Sequence, residues 1–326
     1  MRRDGANAGL LDVARAGFQG LAELVRRRRA RAAPGVAVDA SVMERAKSRM
    51  YAYWQTLGVN QATMESWAAD ALDFGEYADA VERCRRVWGS LEGKRILDYG
   101  CGWGSLSVLL ARAGAQMTVL DHVPAHVEVA ALRVPGGRGL VCDGRNLAAI
   151  RPEIGAGFDY VVLNSVVEHV GPLQGHRGDA ASSLDAKRSL LKEAASLVAP
   201  GGGLYVSTGN YAFPLDGEIK SWFFHWLRPD VQNDILNSMG MSADYYGLLR
   251  WSEFEKLFED AGLRVESVET VEVGSIRPLL VGLSFLSRFG GYSLPRKEIQ
   301  RLLHLLAHDP RYMPAWFIFL RRDLRA

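Results

Sequence analysis

Lys94 to Ser107 reads KRILDYGCGWGSLS and fits a short apolar strand, a glycine-rich turn and a helix start into fourteen residues. Ile96 and Leu97 form the strand, Asp98 stands at its carboxyl end, and Gly100, Gly102 and Gly104 recur at every second position. Leu106, Val108, Leu109 and Leu110 then open a helix. Glycines here permit positive φ and let a ligand approach the main chain. A dinucleotide fingerprint would occupy the same place but needs a glycine at the sixth position, counting the first glycine as one. Counting from Gly100 that position is Ser105, and from Gly102 it is Ser107. The pattern is instead D-x-G-x-G-x-G.

The turn sits in a chain of 326 residues, 48% hydrophobic, long enough for one elaborated domain with a large core. A net charge of +2 gives no global field for nucleic acid, and the basicity concentrates in Arg26-Arg27-Arg28-Arg29-Ala30-Arg31. Cys84, Cys101 and Cys142 are odd in number and contain no C-x-x-C pair. Neither a disulfide framework nor a zinc site is expected, and a reducing cytoplasm fits. The apolar run Ile276 to Ser287 is too short and too interrupted to span a bilayer. No secretory signal is expected before residue 30, because Asp12, Arg15 and Gln19 break the apolar residues there.

Residues 1–90 read as a helical N-terminal extension and 91–326 as the domain that holds the turn. Leu11, Ala14, Phe18, Leu21 and Val25 form an amphipathic stripe that ends in the arginine run. Packing on the chain's own body or on a second copy would cover it, as would peripheral contact with an anionic membrane. Val42 to Trp88 stays helix-like and rich in aromatic residues.

After the turn, Gln116 to Leu120 is a second strand ending at Asp121, twenty-one residues beyond Gly100. A carboxylate at that interval can accept from both hydroxyls of a ribose. Gly139 to Cys142 is a third strand, running into Asp143-Gly144. Phe158 to Leu163 is a fourth, and it delivers Asn164-Ser165-Val166-Val167-Glu168-His169-Val170-Gly171 to the carboxyl edge, where ligands of open α/β sheets bind. Ser183 to Val198 is helical, Ala199 to Ser207 is a turn and fifth strand, Leu263 to Val273 a sixth strand and Pro314 to Leu320 a seventh. Two insertions remain as caps, about 210–250 and 274–313.

Four sites in this order, Asp98 to Gly104, Asp121, Cys142-Asp143 and Asn164 to Val170, resemble those of class I S-adenosylmethionine-dependent methyltransferases. The resemblance implies an α/β fold, a doubly wound, Rossmann-like, seven-stranded and mostly parallel sheet with the last strand antiparallel. It implies S-adenosylmethionine as cofactor, held by Asp98, Gly100, Cys101, Gly102, Trp103, Gly104, Asp121, His122, Cys142, Asp143 and Asn164. Glu168-His169-Val170 is similar to a segment of ubiquinone-type O-methyltransferases, which carry a further glutamate three positions earlier and can use a divalent metal. Here that position is Ser165, so no metal is expected. GCGWGSL, EHVG and Tyr211-Ala212-Phe213-Pro214 are also similar to cyclopropane-fatty-acid synthases and related C-methyltransferases, although the acid at Asp121 is that of ordinary methyltransferases.

The resulting expectation is a biosynthetic enzyme methylating an oxygen of a small-molecule, glycan or lipid-linked acceptor. A carbon methyltransferase or cyclopropane-type lipid enzyme is the second reading, and a silent cofactor-binding partner subunit the third. For a hydroxyl acceptor His169 is the expected base, with Glu168 orienting it and His225 as the alternative base on a closing cap. Tyr211, Trp222 and Tyr245 are the expected acceptor wall.

Overall fold

The computed structural model describes residues 39–142, 152–155, 157–171, 180–212, 247–270, 309–311, 313 and 315–322. The arginine run, Asp143, Trp222, His225, Tyr245 and nearly all of both insertions lie outside the described residues.

Seven strands form one sheet: β1 Arg95–Tyr99, β2 Gln116–Asp121, β3 Arg138–Val141, β4 Phe158–Asn164, β5 Val198–Gly209, β6 Leu263–Glu269 and β7 Ala315–Arg322. Their spatial order is β3-β2-β1-β4-β5-β7-β6. Strands β1 to β5 pair in parallel, while β7 runs antiparallel to both β5 and β6. This is the doubly wound sheet expected from the sequence. Its central strands are covered on both faces, which is why Ile96-Leu97 and Val161-Val162-Leu163 are continuous apolar runs with no exposure.

Among the described residues there are seven helices: α1 Ala40–Thr56, α2 Gln61–Leu72, α3 Gly75–Trp88, α4 Ser105–Arg112, α5 Pro124–Arg133, α6 Ala180–Leu197 and α7 Trp251–Asp260. Asp39 and Asn60 cap α1 and α2, their side chains accepting from the amides of Ser41 at 2.8 Å and Thr63 at 3.0 Å. Helix α3 shares a core with the sheet: Cys84 and Trp88 pack with Tyr205 and Phe319, and the Trp88 indole stacks on the Tyr160 ring at 3.9 Å. Helices α1 and α2 form a further layer, where Met50, Trp54, Met64 and Ala68 close over Val129 of α5.

Several boundaries differ from the sequence reading by a few residues, and those of β5 and β6 have a visible cause. Strand β5 begins at Val198, the last residue of the expected helix, and runs through the stretch expected to hold a turn; a Cβ on Gly202 would stand 2.3 Å from the Asp159 carbonyl, and only glycine lets β4 and β5 close there. Strand β6 stops at Glu269, and the next hydroxyl, of Thr270, donates to the Ala315 carbonyl at 2.9 Å.

Strands β1 and β4 are neighbours although β2 and β3 come between them in the sequence. The order reverses there, so the ligand crevice of this sheet type opens outside their carboxyl ends.

Candidate active site

The glycine turn is built into that crevice. Main-chain amides of Gly100 and Cys101 donate to the Leu120 carbonyl at 2.7 and 3.0 Å, binding the turn to the end of β2. A Cβ on Gly100 would meet Val166 at 2.5 Å, and one on Gly104 would meet Ala130 at 2.7 Å, so these two glycines let β4 and α5 close on the turn. Gly102 differs. Its φ is +49°, yet a Cβ there would have nothing within 4 Å, so the main chain at Gly102 faces open space while its neighbours are pinned. A ligand cradle has this form.

Asp121 stands beside that opening. Its Oδ2 accepts from the Gly102 amide at 3.0 Å and its Oδ1 from the Val123 amide at 2.9 Å. Nδ1 atoms of His122 and His126 lie 3.2 and 3.3 Å from Oδ1. Burial alone would raise this carboxyl's pKa, but the neighbouring imidazoles of His122 and His126 and the Val123 amide win and hold it well below the usual carboxylate range. Oδ2, with one partner in the described structure, can accept another donor, so a ribose hydroxyl fits there.

Asp98 lies below, 2% exposed, and accepts from the Ser107 hydroxyl. Burial pushes its pKa up to about 6, the charge of Asp121 adds to that, and the Ser107 bond opposes both. Among the other expected cofactor contacts, Cys101 packs its thiol into the sheet core. His122 keeps its imidazole 74% exposed at the site's edge. Cys142 follows β3, its amide donating to the Asp121 carbonyl at 2.9 Å. Asn164 ends β4, its Oδ1 accepting from Ser207 at 2.7 Å.

Trp103 roofs the turn. Its ring centroid lies 4.3 Å from that of His126, 5.2 Å from Trp54 and 5.9 Å from Tyr53. The N-terminal aromatic residues therefore meet the glycine turn directly, a relationship sequence spacing cannot supply because it joins residues about fifty positions apart.

At the end of β4, Ser165 adopts φ +54°, the only positive φ of a non-glycine residue among those described. Its amide reaches the Ser207 carbonyl at 3.0 Å and the Ser207 hydroxyl at 3.1 Å. Backbone strain of this kind collects at functional sites. One 3-10 turn, Val167–His169, follows, with Glu168 buried and His169 exposed. Lys187 of α6, fully buried, donates to the Val170 carbonyl at 2.5 Å, and the Gly247 amide donates to the Glu168 carbonyl at 2.7 Å. Burial pulls the Lys187 pKa down to about 7 against the opposing charges of Glu168 and Glu253.

Tyr211 lies just past β5. With Arg250, Trp251, Ser252, Glu255 and Arg311 it lines a cavity of about 480 Å³, and the Arg250 guanidinium sits 5.3 Å from its ring centre. Among the described residues no group of three or more His, Cys, Asp or Glu could hold a metal ion, and no helix is long and apolar enough to cross a membrane.

The strand order and the glycine turn are those expected of a class I S-adenosylmethionine-dependent methyltransferase fold. Residues 64–268 match the methyltransferase-domain family, more than half of the chain, and the chain belongs to that family. It is similar to the ubiquinone biosynthesis O-methyltransferase of Cereibacter sphaeroides, 34% identical over 167 residues covering 46% of this chain and 61% of the relative. It is also similar to the enzyme of that name from Stutzerimonas stutzeri, 32% identical over 186 residues covering 55% of this chain and 68% of the relative. The chain thus spans less than two thirds of the Cereibacter relative's length. Among solved structures, a magnesium protoporphyrin IX methyltransferase from Synechocystis with bound S-adenosylhomocysteine aligns with TM-score 0.45 at 16% identity, covering 81% of this chain and 89% of that one.

Proposed function

We propose that this chain transfers the methyl group of S-adenosylmethionine to an oxygen of a small-molecule, glycan or lipid-linked acceptor. The observation that carries the reading is the open main chain at Gly102 beside Asp121, on the sheet edge where β4 also ends and the Glu168-His169 turn follows. The cofactor, when bound, supplies a methyl already activated on a sulfonium. The chain's own residues then have three tasks. Asp121 takes a ribose hydroxyl on Oδ2, Gly102 leaves room for the ligand against its main chain, and the buried Asp98 carboxylate offers negative charge to a cationic ligand. An exposed imidazole nitrogen of His169 takes the proton of the acceptor hydroxyl as the new bond forms. Glu168, buried and opposite in charge to Lys187, holds the turn that presents His169. The similarity to two ubiquinone biosynthesis O-methyltransferases supports oxygen as the acceptor atom.

The test uses cofactor carrying a carbon-13 methyl, incubated with the protein and fractionated cell extract. The chemical shift of the transferred carbon should be that of a methoxy group. A C-methyl or cyclopropane shift would replace this reading with the lipid-type one, and bound cofactor without label transfer would leave a silent subunit.

A further inference from the structure

Arg133, the last residue of α5, is 3% exposed, and among the described residues no carboxylate pairs with it. Burial lowers its pKa only to about 10, so it is a cation at neutral pH. A buried guanidinium without a counter-ion is costly, and a leucine would fill the same place without that cost. Its partners show what the charge does. Nη1 donates to the Trp103 carbonyl at 2.6 Å and to the Ala71 carbonyl, at the end of α2, at 3.3 Å. Nη2 donates at 3.2 Å to Ser105 Oγ at the start of α4, and that hydroxyl itself donates to the Ala71 carbonyl at 2.7 Å. The guanidinium carbon lies 5.2 Å from the centre of the Phe74 ring.

Three elements thus converge on one planar fork whose five donors have fixed directions. The Trp103 carbonyl is the outer half of the peptide leading into Gly104, directly after the open residue Gly102. On its other side the Trp103 ring is held by α1 and His126. The cofactor turn is gripped by backbone from below and by ring from above, and both grips lead to the N-terminal helices.

We propose that Arg133 is a positioning residue for the cofactor turn, tying its shape to the docking of α2 so that cofactor binding and the order of the N-terminal helices are coupled. This rests on the reading of the turn as a cofactor site. Coupling requires reciprocity: what the helices do for ligand affinity, the ligand does for the helices.

The experiment uses the full chain and S-adenosylhomocysteine, with calorimetry for affinity and hydrogen exchange for the amides of residues 63–72. In the wild type the ligand should slow exchange in that segment. Arg133→Met should weaken binding by about tenfold, the loss expected from leaving buried carbonyls without a donor, and should abolish the ligand-dependent slowing. Arg133→Lys, which can reach one carbonyl but not bridge three acceptors, should recover part of the affinity. KM for the methyl donor should rise in both with kcat little changed. If Arg133→Met does not fold, Ser105→Ala keeps the guanidinium and removes one acceptor, and should give the same pattern at about threefold. Unchanged affinity and unchanged exchange in a folded variant overturn the proposal. A wild type that does not bind S-adenosylhomocysteine at all overturns the cofactor reading instead.

Discussion

Lys187 donates its Nζ to the Val170 carbonyl at 2.5 Å from a helix position with no solvent exposure, directly behind the turn that carries Glu168 and His169. An ammonium in an apolar core opposes folding unless it does something there. Its charge faces those of Glu168 and Glu253, and burial still brings its pKa from 10.5 to about 7. The unfolded chain therefore binds more protons than the folded chain between about pH 7 and 10.5, so this group's contribution to stability rises with pH across that window. Lys187→Met should flatten that rise in thermal melts. It should also slow turnover at least tenfold while S-adenosylhomocysteine affinity stays within twofold, because the turn loses its anchor and the cofactor cradle does not. Full turnover in a folded Lys187→Met protein would reduce this lysine to a packing residue.

Asp121 couples the cradle to β2 through the Gly102 amide and keeps Oδ2 able to accept once more. Asp121→Ala should weaken S-adenosylmethionine by about 2 to 3 kcal/mol, tens to hundreds of times in Kd, since both the Gly102 amide and a ribose hydroxyl lose their acceptor. NAD should not bind either protein. Calorimetry giving equal Kd values for variant and wild type would remove Asp121 from the site.

Asp98 is raised by burial from 3.8 to about 6, so the fold prefers its protonated form. That contribution is complete below about pH 3.8 and is lost as pH rises through 6. Asp98→Asn should therefore gain stability over the wild type on going from pH 4 to pH 7, by about 2 to 3 kcal/mol for a shift of this size. It should also bind the cationic cofactor more weakly than its neutral product analogues. A stability difference that does not change between these pH values would show that the carboxyl titrates normally.

Much of this arrangement is legible in the chain. The strands and the turn are legible as apolar runs, glycine spacing and acids at strand ends, because parallel strands buried on both faces must be apolar and ligand groups must lie past their carboxyl ends, whereas the doubly wound sheet is what the family resemblance implies. The place of Lys187 has a signal in the chain: Leu184, Lys187, Leu191 and Ala194 recur at helical spacing, which puts a lysine on the apolar stripe of α6. Arg133 follows the same rule, three residues after Ala130, but a basic residue in a last turn ordinarily answers the helix dipole from solvent. The positive φ of Ser165 had no signal, because Asn or Gly is the usual residue in that conformation. The meeting of Tyr53 and Trp54 with Trp103 is a long-range contact between amphipathic helices, and periodicity says which face is buried without saying against what.

The expected base, His169, and the residue expected to orient it, Glu168, share one 3-10 turn, on which Glu168 is buried and His169 is exposed toward solvent. A group that receives a proton from an acceptor must be reachable by it, which favours His169, whereas a buried carboxylate facing a buried lysine is placed to hold the turn. His169→Ala should keep S-adenosylhomocysteine affinity and lower turnover on a hydroxyl acceptor by roughly two to four powers of ten, the usual contribution of a positioned general base. Glu168→Gln should cost less, since the amide keeps the shape of the turn and loses only the charge facing Lys187. With a carbon acceptor the order should invert, because there the carboxylate's charge matters more than an imidazole that has no hydroxyl proton to take. A His169→Ala protein that turns over its own acceptor at the wild-type rate would move the base to another residue, with His225 the next to substitute.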